Sequence, residues 1–257
     1  MSAHRSLLFA LGAAFAFAAC GPSFVQTIAP LQGDELYRVA MQEFEDENWE
    51  HAISALERLS RELPARDPQM PSVYYYLGEA HSARNEHLLA AQSFQRIMES
   101  FPNDTLADDG LLRAGQSYAE MWRRTSLDPA YGHTALTTFE TLLAIYPNGD
   151  VRADAQREVQ DLMERLAKKD YDTGVYYMGR GANISAMSYF QDVIERYPET
   201  AMARRARLRL VEAYQRENFN ADAREQCETL RAEFPDDREV REVCGAPPPA
   251  PPPVVAR

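Results

Sequence analysis

The chain has 257 residues, of which 45% are hydrophobic, enough for one large or two small cores, so an intrinsically disordered chain is excluded. Its 39 acidic residues outnumber 27 Lys and Arg and give a formal charge of -12, which excludes nucleic acid as a partner because phosphates require a basic surface.

Residues 1–19 form a signal peptide: a short polar start with Arg5, an apolar run from Leu7 to Ala19, and small Ala18 and Ala19 at the end. The run is shorter than the roughly 20 residues that a spanning helix needs, so it is not a retained transmembrane anchor. Phe17-Ala18-Ala19-Cys20 resembles the bacterial lipobox, with Phe17 in the usual place of leucine. That resemblance implies cleavage before Cys20, which would carry a diacylglycerol and an N-acyl chain. Several acyl chains on one residue anchor stably where a single chain does not. Gly21 follows, where aspartate usually marks inner-membrane retention; the expected location is the periplasmic face of the outer membrane. Residues 20–33, with Pro22, Pro30 and Gly33 and no sustained period, read as a flexible tether.

A repeating pattern follows. Leu63-Pro64, Phe101-Pro102, Tyr146-Pro147, Tyr197-Pro198 and Phe234-Pro235 each close a helix, since proline cannot continue one. Twelve residues before each proline stands Ala52, Ala90, Ala135, Ala186 or Ala223. Four residues on come Leu56, Phe94, Phe139, Phe190 and Cys227, and three further Leu59, Ile97, Leu142, Val193 and Leu230. This is one apolar stripe per second helix. Gly78 and Ala90 mark close approach of two helices, with Phe94 filling between pairs. The expected fold is an all-α, tetratricopeptide-like superhelical solenoid of about five helix pairs in two lobes. An N-terminal lobe of three pairs takes residues 34–149, and residues 150–244 take a long helix plus two pairs.

The proline spacings are 38, 45, 51 and 37, all above the regular 34, so the array holds insertions. One is Met121 to Gly132, a polar interruption with Asp128-Pro129 in the third pair; the other is a long helix from Val151 to Lys169 between the lobes. Gly179-Arg180-Gly181 reads as a break between helices. Cys227 and Cys244 lie 17 positions apart, in an oxidising compartment if the export signal acts. They either bridge the last helices or remain two buried thiols. Residues 245–257, with six prolines between 247 and 253, read as a disordered, extended spacer.

Catalytic and cofactor signatures do not appear. No histidine pair has the spacing of a helical metal site, and no nucleophile elbow or phosphate loop is present. Asp108-Asp109 and Asp236-Asp237 follow closing prolines near helix starts, where acids suit the helix dipole. The reading is therefore a non-enzymatic binding protein without metal. The candidate groove residues are the aromatics Tyr75, Tyr118 and Trp122 on first helices, although Tyr74 and Tyr118 also hold repeat anchor positions. Arg204, Arg205, Arg207 and Arg209 form a basic cluster in an acidic chain, suited to carboxylates on a partner protein.

Cys20, five helix pairs, Asp128-Pro129 followed by Phe139, Leu142 and Tyr146-Pro147-Asn148, a long helix with Asp154 and Ala155, then Tyr176-Tyr177 and Arg180-Gly181 together resemble the BamD (YfiO) family. These are lipoproteins of the outer-membrane β-barrel assembly (BAM) machinery, and the resemblance spans roughly residues 20–240. Gly149 stands where the family usually has serine, and the proline tail is not typical of it. The resemblance implies an N-terminal lobe that engages C-terminal targeting segments of unfolded outer-membrane proteins. It implies a C-terminal lobe that docks on the periplasmic domains of a BamA-like barrel beside other BAM lipoproteins, with Arg204 matching a docking arginine. No cofactor is implied beyond the acyl chains on Cys20, and the membrane is touched through that anchor only. The alternative is a tetratricopeptide lipoprotein that coordinates cell division or peptidoglycan synthesis. Such proteins often carry an N-terminal coiled coil, and no heptads occur between Cys20 and Asp34.

Overall fold

The computed structural model describes residues 23–245 and is all-helical over that range. The signal peptide, Cys20 and the proline tail lie outside the described residues. Five hairpins follow one another: α2 (Gly33–Glu45) with α3 (Trp49–Glu62), α4 (Met70–Ala83) with α5 (His87–Ser100), and α6 (Ala107–Glu120) with α7 (Ala130–Ile145). Then come α8 (Arg152–Gly179) with α9 (Asn183–Arg196) and α10 (Ala201–Arg216) with α11 (Asn220–Glu233). Short helices α1 (Phe24–Ile28) and α12 (Arg238–Cys244) close the two ends.

Four hairpins turn through the same three-residue link. Its middle residue is left-handed: Glu47 (φ 58°), Asn85 (60°), Gly181 (75°) and Asn218 (61°). The next amide reaches back over the turn, as Asn48 N–H does to the Glu43 carbonyl (2.8 Å) and Phe219 N–H to that of Tyr214 (2.8 Å). This is the Schellman closure of a helix end. The residue before each closing proline is the C-cap of the second helix, and its amide still bonds back four residues, as Phe101 does to Ile97 (2.7 Å), before the proline removes the next donor.

All three rows of the second-helix stripe are buried in every repeat. The filler pairs with a position sixteen or more residues upstream. An added Cβ on Gly78, Gly115 or Gly174 would meet the ring of Phe94, Phe139 or Phe190 at 2.6, 2.5 and 2.6 Å. Where the filler shrinks to Leu56 or Cys227, buried Ala40 and Val211 stand in the glycine's place. Volume is thus exchanged between the two helices of a pair at nearly constant total, as dense packing requires.

The long helix differs from the one expected. It does not stop at Lys169 but runs on through Gly179, so it is itself the first helix of the fourth pair. Nothing between residues 169 and 174 breaks a helix, and Gly174 is retained because Phe190 needs its space. One hydrophobic cluster passes across the lobe boundary, from Leu111 and Phe139 through Leu162 and Leu166 of α8 to Phe190 and Leu210. Separate clusters serve the ends, Ile28 to Ala80 and Leu208 to Val240.

The expected tether at 20–33 is overturned from Ser23 onward. Phe24–Ile28 is helical, Ile28 is 1% exposed, and Arg58 of α3 donates to the Ile28 and Leu31 carbonyls at 2.7 and 3.0 Å. One carbonyl belongs to the last turn of α1 and the other to the turn that follows it, where a helix end runs out of intrahelical donors, so a distant arginine ties both to α3. Local period carries no sign of that contact.

Candidate protein-binding surfaces

First helices lie beside one another and form the inner face. Arg113 of α6 donates through Nε and Nη2 to both carboxylate oxygens of Glu79 on α4 (2.5 and 2.6 Å) and through Nη1 to Gln116 Oε1 (3.3 Å). Gln116 in turn donates to Glu158 of α8 (3.1 Å), so one polar chain ties three first helices. Beside it lies a cleft of about 590 Å³ whose lining includes Ser82, His87, Gln116, Glu120 and Arg165. Its arginines are met from within: Arg113 by Glu79, Arg123 by Glu120 and Arg165 by Asp161. A charge-balanced cleft suits neutral hydrogen-bonding groups better than a free carboxylate. His87 Nδ1 is buried there without a hydrogen-bond partner among the described residues.

The three groove aromatics separate. Tyr75 is half-buried, with its ring edge-on to Phe94 at 5.6 Å. Burial pushes its phenol pKa up, with the Glu79 carboxylate adding to the shift. Tyr118 is 8% exposed, stacks on Tyr131 and donates its hydroxyl to Gln95 Oε1 (3.1 Å). Trp122 is fully buried, which corrects the expectation that it faces the groove. Gly132 leaves room for its ring, the Arg165 guanidinium covers it at 5.0 Å, and its Nε1 donates to the Leu127 carbonyl (3.4 Å).

The insertion at 121–132 therefore wraps its own tryptophan. Lys169 of α8 also donates to the Thr125 carbonyl (3.1 Å), pinning the loop to the long helix.

The basic cluster on α10 divides by face. Arg204 pairs with Asp237 and with Glu239 (2.8 Å) and lies over the Phe234 ring at 5.7 Å, while Arg207 pairs with Glu233. Both hold the end of the solenoid, so their forks are occupied rather than free. Arg209 is exposed but leans on Glu212 (2.7 Å) and Tyr171 (3.4 Å). Arg205 is exposed and has no ion pair among the described residues.

Cys227 and Cys244 are joined by a disulfide, with Cα atoms 5.6 Å apart. It fastens α12 to α11. Asp237 caps α12 by accepting from the Glu239 and Val240 amides at 2.8 and 3.2 Å. Partial desolvation raises its pKa, but the Val240 amide and the Arg204 guanidinium outweigh that and hold the carboxyl below the usual range.

The sequence reading missed the Glu79–Arg113–Gln116–Glu158 chain, whose members lie on three helices and share no motif. It also missed an exposed group near the α8–α9 turn, Val175, Tyr176 and Ile184, at 40, 55 and 58% exposure. Tyr176 there receives Arg180 over its ring at 5.0 Å.

Among the described residues, no helix is long and apolar enough to cross a membrane.

Comparison with known proteins places these features in a family. The family model described as YfiO, outer membrane lipoprotein, matches residues 31–230. The outer membrane protein assembly factor BamD of Caulobacter vibrioides is 27% identical over 79% of this chain and 66% of its own length. That of Vibrio cholerae is 29% identical over 76% of this chain and 83% of its own. This chain's match thus spans about two thirds of the Caulobacter relative. Similar solved structures include the P58(IPK) TPR domain, with a TM-score of 0.44 and 13% identity over 81% of this chain and 53% of that one. A thermophilic TPR protein of Thermus thermophilus has a TM-score of 0.34 and 17% identity over 80% and 94%. With the family match covering most of the solenoid, the chain belongs to the YfiO family of outer membrane lipoproteins.

Proposed function

We propose that this protein is a non-enzymatic subunit of the outer-membrane β-barrel assembly machinery, held at the periplasmic face of the outer membrane by acyl chains on Cys20. The observation that carries this reading is the family match over residues 31–230 together with relatives named as BamD assembly factors. In this proposal the inner face of the N-terminal lobe takes extended segments of unfolded outer-membrane proteins. Its charge-balanced cleft offers polar side chains, Ser82 and Gln116 among them, to a peptide backbone, and Tyr75 offers an aromatic edge.

The α10 arginines serve docking on a BamA-like barrel. Because Arg204 and Arg207 are committed to α11 and α12, the contact falls mainly to Arg205 and Arg209, with Arg204 fixing the surface behind them. Such exposed forks suit partner carboxylates.

The test is purification of the native protein from membranes in mild detergent, as wild type and as Arg205→Glu/Arg209→Glu. Wild type should bring down a large barrel protein with periplasmic domains in near-equal amount, and the variant should lose most of it. Recovery of division or peptidoglycan-synthesis proteins without that barrel would replace this reading with the scaffold alternative. Undiminished barrel recovery by the variant would remove the arginines from the interface.

A further inference from the structure

Ser23 lies three residues after Cys20 and is already the N-cap of α1. Three extended residues span at most about 11 Å, roughly the thickness of one helix with its side chains. α1 is fixed to the solenoid and cannot serve as slack. Besides buried Ile28 and the two Arg58 bonds, Phe24 stacks face to face on His51 of α3 with ring centroids 4.1 Å apart. An anchor on Cys20 therefore holds the α1–α3 end of the solenoid itself against the bilayer.

That end has a composition unlike the solenoid that follows it. The protein is 26% charged, yet residues 20–33 contain no Asp, Glu, Lys or Arg. The first acids of the chain are Asp34 and Glu35, in the first turn of α2. On α1 the outward side chains are Val25, 62% exposed, and neutral Gln26 and Thr27. An acidic face would be repelled from anionic headgroups, whereas a neutral strip with an outward valine meets no such repulsion and gains from apolar contact.

We propose that α1 lies in the headgroup layer of the membrane that carries the anchor, with Val25 in contact with lipid, as a second membrane contact besides the acyl chains. The inference rests on acylation of Cys20, proposed above. The acyl chains supply the affinity. The contribution of α1 is orientation: a solenoid touching the membrane at two neighbouring points cannot swing freely about a single one.

The test uses the full-length protein purified from membranes, with Val25→Cys or Glu195→Cys labelled by an environment-sensitive fluorophore. Glu195 is exposed on α9, far along the array, and the native cysteines of the fold are occupied by their disulfide. Each labelled protein is reconstituted into phosphatidylethanolamine and phosphatidylglycerol vesicles containing nitroxide-labelled lipid, and its acyl mass is checked by mass spectrometry. A probe at position 25 should be quenched several-fold more than one at 195. Equal quenching at the two positions in an acylated chain would overturn the inference alone. Absence of the acyl mass would overturn the anchor reading and this inference with it.

Discussion

Gly115 of α6 stands so close to Phe139 of α7 that an added Cβ would lie 2.5 Å from the phenyl ring. The same relationship joins Gly78 to Phe94 and Gly174 to Phe190, so close approach of first and second helices is specified separately in three successive repeats.

Substitution at these glycines should run against helix propensity. Alanine in place of a mid-helix glycine ordinarily stabilises by about 0.5–1 kcal/mol. Gly115→Ala should instead destabilise by about 1–3 kcal/mol, the range for overpacked cores. Gly179, the last residue of α8, has nothing within 4 Å of an added Cβ, so Gly179→Ala should be neutral or mildly stabilising. Urea denaturation of both variants checks the pair. A Gly115→Ala protein as stable as wild type would mean that the helices can move apart at no cost.

Glu47 is the one left-handed hairpin residue that is neither glycine nor asparagine. A non-glycine residue pays about 1–2 kcal/mol in that conformation. Glu47→Gly should therefore raise stability by about 1 kcal/mol after its larger unfolded-state entropy is set against the relief. The measurement is the urea midpoint; a lower midpoint for the variant would show that Glu47 makes a compensating contact.

α12 should loosen in acid. Because the folded-state pKa of Asp237 lies below its unfolded value, its bonds to the Glu239 and Val240 amides and to Arg204 contribute fully above about pH 4. That contribution is lost as pH falls through the lower, folded value. Hydrogen exchange of α12, corrected for intrinsic rates, should show protection that drops below about pH 4 in wild type. Arg204→Gln should lose protection at a higher pH, nearer the ordinary carboxylate value. Identical profiles would separate Arg204 from the cap.

Reduction should free the same helix by a different route. A loop of the Cys227–Cys244 span, 17 residues, corresponds to about 3 kcal/mol in the chain-entropy account of crosslinks. Cys227→Ser/Cys244→Ser should raise exchange in α11 and α12 while leaving α4 to α8 protected, because the central cluster around Phe139, Leu166 and Phe190 does not include either cysteine. Uniform loss of protection would mean that the C-terminal cap is coupled to the whole array.

What the sequence determined by itself is the repeat. The alanine, the filler four residues on, the aliphatic three further and the closing proline are all set by distances along one helix, and a helix imposes those distances locally. The five second helices, their buried stripe and their ends follow from that period. The acids at 108–109 and 236–237 were legible as helix-start residues for the same reason, since the helix dipole and capping act within one turn.

Tertiary structure decided everything that depends on what meets a helix from another part of the chain. Trp122 looked like a groove residue because it reads as part of a first helix, but α6 ends at Glu120, and Gly132 and Arg165, ten and forty-three positions away, enclose the ring. Residues 24–28 looked like tether because they lack a period of their own, and Arg58 of α3 completes their helix. Arg204 looked free because its partners, Asp237 and Glu239, lie beyond the next helix, α11. A charge or an aromatic ring is available to a partner only when nothing in the folded chain has taken it, and that is fixed by packing across repeats, which local spacing does not encode.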